Sequence, residues 1–226
     1  MKIRLHLKIF VFIAIFIVTR QIGIYGILML FALFHELGHM LAGILLGFKP
    51  NSLEIMPLGL SIGFESKLEN YNRKIKKGTL LTLKKIIIAA SGPITNLLFI
   101  IVFLLFPISF FGISRDIVIY ANILIAIFNL IPIYPLDGGR IAKGILHILF
   151  GRKEAYRYNY MISNVTISIL TAISSIVILN LKNIAILLIL AYLWYLVISE
   201  NKRYRTKQKI YEKIKNIEKT DKATVS

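Results

Sequence analysis

His35 and His39 lie four positions apart in Phe34-His35-Glu36-Leu37-Gly38-His39-Met40, inside an apolar run covering residues 22–46. On a helix that spacing sends both imidazoles off one face, where they can grip a single metal ion. Glu36 follows the first histidine, so its carboxylate reaches a water on the metal rather than the metal itself. This is the H-E-x-x-H arrangement of a zinc hydrolase, with the glutamate as general base. Ionisable groups at membrane depth are costly and mark function by default. Three of them in five positions argue against a chance pair of histidines bonded to neighbouring helices.

Catalytic zinc needs a third protein ligand and an open position for water. The chain has no cysteine, and its other histidines are His6 and His147. Both sit in interfacial settings, His6 at the start of the first apolar stretch and His147 on an amphipathic segment. Asp137 is the one acidic residue between Asp116 and Glu154, in Asn129-Leu130-Ile131-Pro132-Ile133-Tyr134-Pro135-Leu136-Asp137-Gly138-Gly139-Arg140. Two prolines and two glycines break a helix here, which at membrane depth is tolerated where backbone lines a cavity or protein interior. Asp137 is therefore the better third ligand. Capping a helix that starts at Gly138 is its ordinary role, and the two are compatible. A further group, Ser91-Gly92-Pro93-Ile94-Thr95-Asn96, opens another apolar stretch. Gly92 allows close packing, Pro93 removes a helix hydrogen bond, and Asn96 must find polar partners. Asn96 either ties helices together or holds a substrate backbone or oxyanion.

The elements that position these residues are membrane helices. The chain has 226 residues, 57% hydrophobic and 17% charged, with mean hydropathy +0.72. That composition excludes a soluble domain and indicates an all-α polytopic membrane protein. Six stretches approach the ~20 apolar residues of a span, at about residues 5–19, 22–48, 86–106, 117–133, 160–181 and 184–199. Of the 28 Lys and Arg, all but Arg20, Arg115 and Lys182 fall on one side of this arrangement. The positive-inside rule makes that side cytoplasmic, with both termini inside. The net charge of +17 thus reads as topology and contact with anionic lipid, not nucleic acid. His39 stands roughly 13 Å from the cytoplasmic end of its span at ~1.5 Å per residue, so the site is expected to open toward the cytoplasm. Between spans two and three, Ile55-Met56-Pro57 with Gly59 and Gly63 suggests a small membrane-associated β-hairpin whose edge strand could pair with an extended substrate. Residues 67–77 are expected to form a solvated basic loop, and the basic segment at residues 202–219 either lies on anionic lipid or is solvated.

His35-Glu36-x-x-His39, Gly92-x-x-x-Asn96, and Asn129-x-x-Pro132 leading to Asp137-Gly138 resemble the site-2 protease family of intramembrane zinc metalloproteases, peptidase family M50. The Pro-Ile-Tyr-Pro-Leu-Asp-Gly-Gly wording and the Met-Pro-Leu-Gly hairpin resemble its stage IV sporulation protein FB-like branch. The resemblance covers about residues 5–200. It implies Zn2+ on His35, His39 and Asp137, Glu36 as catalytic base, and Asn96, Asn129, Pro132 and Gly92 in substrate binding. It also implies cleavage of a membrane-associated protein, a pro-sigma factor during sporulation, at the cell membrane or the membrane around a forespore, with membrane inhibitor or regulator proteins as partners. Members of the branch often carry a nucleotide-binding CBS domain after the last span. Here a protease domain of residues 1–199 is followed by a tail of residues 200–226, too short for one. The rival readings are a metal transporter using the same His/Asp cluster, a degenerate scaffold, a prenyl-protein type of endopeptidase with a glutamate ligand, and an intramembrane protease acting on an anti-sigma factor or signal-peptide remnant.

Overall fold

The computed structural model describes residues 2–5, 17, 20, 22–56, 59–64, 75–106, 112–181 and 184–224. The chain forms two compact units, Met1–Ile131 and Pro132–Ser226.

Among its described residues the first unit holds three helices and a sheet: β1 (Lys2–Leu5), α1 (Ile22–Leu45), β2 (Pro50–Met56), β3 (Gly59–Phe64), α2 (Ile75–Leu105) and α3 (Arg115–Leu130). Helix α1 ends abruptly because Gly47 adopts φ +86. Phe48 N–H then donates to Gly43 O at 2.9 Å and Gly47 N–H to Ile44 O at 2.9 Å, the double bond of a Schellman cap. Lys84 Nζ donates to the next free carbonyl, Leu46 O, at 2.9 Å. The chain is thereby turned straight into β2. The sheet docks on this end of α1 through Phe64, whose ring occupies the space a Cβ on Gly43 would need. Strand β2 is central, parallel to β1 and antiparallel to β3, with Lys2 opposite Ser52 and Met56 opposite Gly59. The three helices meet around Phe31, Phe103, Val118, Ala121 and Ile125. Phe99 stacks edge-on to Phe31 at 5.6 Å and lies 5.2 Å from Phe34. In lipid such contacts stabilise by packing rather than by removal of apolar surface from water.

The described residues of the second unit include α4 (Asp137–Leu181), which bends at Gly151 (φ 80), and α5 (Ile184–Thr224). Polar pairs join the two helices: Asn164 and Asn201 exchange amide hydrogen bonds at 3.2 and 2.9 Å, and Trp194 Nε1 donates to Thr171 Oγ1 at 3.0 Å. Ile167, Leu193 and Val197 are buried beside them.

Membrane character is evident, but six spans are not. Among the described residues, Ile22–Leu45, Thr79–Leu105 and Asp137–Val177 are long and apolar enough to cross a bilayer. The expected first span lies almost wholly outside the described residues. The fourth is a helix of only 16 residues, stopped after Leu130 by the proline-rich break. The fifth lies within a longer helix that already begins at Asp137. The supposed basic loop at residues 67–77 gives way to helix at Ile75, and the hairpin is one part of a three-stranded sheet. The basic segment after residue 199 continues α5 without a break.

Candidate metal centre

His35 and His39 project from one face of α1 and are 2% and 3% exposed. Their rings meet edge to face, 4.7 Å between centroids, with the two Nε2 atoms 3.1 Å apart. Two nitrogens on a tetrahedral zinc at about 2.05 Å would stand about 3.3 Å from each other. The pair is therefore already spaced as ligands of one ion.

The opposite edge of each ring explains why both Nε2 atoms face inward. His39 Nδ1 lies 2.6 Å from Ile88 O, a backbone carbonyl that can only accept, so Nδ1 carries the proton. Ser91 Oγ donates to the same carbonyl at 2.6 Å. Pro93, inside α2, has no N–H and so offers no helix bond to Ala89 O, the carbonyl next to this one. His35 Nδ1 lies 2.5 Å from Asn96 Oδ1. Asn96 Nδ2 in turn donates to Asn122 Oδ1 at 2.7 Å, and Asn122 Nδ2 to Val118 O at 2.9 Å. Asn96 and Asn122 are fully buried. Each histidine is thus held by its Nδ1–H, the arrangement that leaves a lone pair on Nε2 for a metal.

Close approach of the helices makes this possible. A Cβ on Gly92 would collide with the Nε2 atoms of both histidines, and one on Gly38 would overlap Thr95 Oγ1. Gly92 therefore serves as the floor beneath the imidazoles. Asn96, expected to face substrate, is engaged with His35 and Asn122.

Glu36 is half-buried on α1 next to His35. Asn129 is half-buried near the end of α3, its Nδ2 donating to Ile125 O at 3.0 Å. In the second unit Asp137 is 4% exposed and opens α4, where the helix dipole favours a carboxylate. Arg140 Nη1 lies 3.7 Å from its Oδ1. The loop before it folds back tightly: Leu136 N–H donates to Ile133 O at 2.8 Å, and a Cβ on Gly139 would strike the backbone of Ile133 and Tyr134. Pro132 is half-buried in that loop. His147 is half-buried on α4, and His6 lies outside the described residues. Asn122, Ser91 and the Ile88 carbonyl were missed by sequence reasoning. A signal existed for Asn122, an amide midway along an apolar helix with the same unmet demand for partners as Asn96.

Membrane-length helices around a buried H-E-x-x-H pair resemble the site-2 protease class. Comparison with known proteins agrees. The model of peptidase family M50 matches residues 113–173, a segment that holds α3, the proline-rich break and Asp137. Stage IV sporulation protein FB of Bacillus subtilis (strain 168) is 26% identical over 165 residues, 70% of this chain and 52% of that protein. The chain thus spans about half the length of this curated relative. The solved Site-2 Protease from Methanocaldococcus jannaschii superposes with TM-score 0.61 at 22% identity, covering 88% of this chain and 89% of that one, a likeness of fold. The resemblance to the site-2 protease family is borne out.

Proposed function

We propose that this membrane protein is an intramembrane zinc metalloprotease that cleaves a membrane-associated protein within or next to the bilayer. The observation that carries this reading is the buried His35–His39 pair, with Nε2 atoms 3.1 Å apart and both Nδ1–H groups tied back. Asp137 is the third ligand in this reading. The three residues are all buried and each offers one ligand atom, a two-nitrogen, one-oxygen set that suits zinc. When bound, zinc lowers the pKa of a water and polarises the scissile carbonyl. Glu36 takes the proton of the attacking water and passes it to the leaving amine. Asn129 and Pro132, on either side of the break after α3, hold the extended substrate chain. Strand β3 has a partner only on its β2 side in the described sheet, so its other edge is suited to pair with that chain.

The substrate is a pro-sigma factor, the reading favoured by the similarity to a sporulation protein. Both termini and the opening of the site face the cytoplasm in this reading. A metal transporter fits less well: a conduction path needs a series of ligand groups, and this reading draws on one, His35, His39 and Asp137. The test is co-expression with the host's pro-sigma factor beside the Glu36→Gln variant. Loss of the pro-sequence with the natural chain alone supports the protease and its substrate together. Cleavage by Glu36→Gln at the same rate would overturn the mechanism, and a chain that holds no zinc would overturn the metalloprotease itself.

A further inference from the structure

The amide chain from α3 to the metal centre has a direction fixed at its far end. Val118 O is a backbone carbonyl with no proton to give, so the Asn122 group 2.9 Å from it must be the NH2. Asn122 therefore turns its oxygen toward Asn96, 2.7 Å away. Two amide oxygens cannot face each other at that distance, so Asn96 presents its NH2 there and its oxygen to His35. That oxygen, 2.5 Å from Nδ1, leaves His35 one neutral form, with the proton on Nδ1 and the lone pair on Nε2. Each role in the series follows from the first. Were Asn122 absent, the Asn96 amide could rotate by half a turn and offer its NH2 to Nδ1, which would move the His35 proton to Nε2 and block ligation there.

We infer that Asn122 is a positioning residue of the metal centre: acting through Asn96, it fixes the tautomer and ring orientation of His35 before any metal arrives. It touches neither metal nor substrate. Both amides are fully buried at the junction of α1, α2 and α3, so no water competes for these bonds. His39 needs no such series because its partner, Ile88 O, is itself a backbone carbonyl. The consequence for zinc rests on the metalloprotease reading; the tautomer does not.

The experiment uses the full chain in detergent or nanodiscs, as the natural sequence, Asn122→Leu and Val118→Ala. Val118→Ala thins the α3 packing but keeps the carbonyl. Zinc affinity is measured by chelator competition, and the ring-nitrogen NMR shifts of His35 are read in metal-free protein. Asn122→Leu is expected to bind zinc about 10–100-fold more weakly and to show proton density on His35 Nε2. Val118→Ala is expected to lose thermal stability while leaving both readouts unchanged. Unaltered zinc affinity and an unaltered Nδ1–H signal in Asn122→Leu would overturn the inference. So would a natural chain whose metal-free His35 carries its proton on Nε2, an outcome that needs no variant to fold. Failure of the natural chain to bind zinc would remove the metalloprotease reading alone, because the NMR comparison still decides whether Asn122 sets the tautomer.

Discussion

The Nε2 of His39 occupies space that any side chain at Gly92 would need. The close packing of α2 against the metal face of α1 therefore depends on a single hydrogen in place of a methyl group. Gly92→Ala must push the helices apart or turn both imidazoles, an overpacking cost of about 1–3 kcal/mol. The expected outcome is loss of zinc binding and of cleavage with the helical spectrum retained. Gly23→Ala, where nothing lies within 4 Å of the added Cβ, should leave zinc content unchanged and serves as the control.

Removal of metal and removal of the base should separate cleanly. His39→Ala deletes a ligand of the proposed zinc and leaves Ile88 O with one fewer donor, so it should abolish zinc binding and activity alike. Glu36→Gln should retain zinc and lose about 10²–10⁴-fold in rate. Chelation should lower the melting temperature of the natural chain and of Glu36→Gln, because a ligand present at about 100 times its Kd stabilises by about 2.7 kcal/mol. It should leave His39→Ala where it was. Zinc content and thermal scans with and without chelator check each point.

Asp137 sits at the start of α4 with its carboxylate buried and Arg140 within 3.7 Å. Arg140 N–H donates to Leu136 O, so Leu136 is the cap and Asp137 the first helical residue. With a dipole role alone, Asp137→Asn would cost only about 0.3–1 kcal/mol. As a metal ligand it should do more. Asp137→Asn is expected to weaken zinc binding by more than the about 10–100-fold typical of groups that only orient a ligand, with little change in thermal stability of the metal-free protein. Chelator competition on the purified variant measures this directly.

How much of this was legible in the sequence depends on the range of the forces involved. The histidine pair, its burial and the break at residues 131–136 follow from local spacing and from proline and glycine chemistry, and the sequence shows them. Strand β1 was missed although Lys2-Ile3-Arg4-Leu5 alternates polar and apolar, because it runs directly into the apolar stretch assigned to a first span. A strand of four residues has no standing until β2 is beside it, and that pairing is non-local. The same reason hid Asn122: its partner lies 26 residues away on another helix. The start of α2 at Ile75 was misjudged because hydropathy marks where lipid begins, whereas hydrogen bonding marks where helix begins.

The sheet should be separable from the metal. Phe64 of β3 fills the gap above Gly43 and lies 6.1 Å from Phe48. Gly43→Val, four residues beyond His39, would displace that ring and tilt the sheet away from the end of α1. Zinc content should be preserved while processing of a full-length substrate falls, chiefly through a raised KM, if the edge of β3 aligns the substrate chain. Equal loss of zinc would show instead that the end of α1 had unwound.

Between α4 and α5 the Asn164–Asn201 pair offers a test of polar bonding in an apolar setting. Each amide donates to the other, and Asn164 also donates to Tyr160 O at 2.7 Å. Asn164→Leu strands the Asn201 amide at a half-buried position, so a loss of about 1–3 kcal/mol is expected. Asn201→Leu should cost a similar amount. The double variant should cost less than the sum, because no partner is then left to want a bond. Thermal unfolding of the four proteins gives the coupling. An additive pair would mean that water or lipid headgroups already reach these amides, and that apolar packing around Ile167 and Val197 alone joins the two helices.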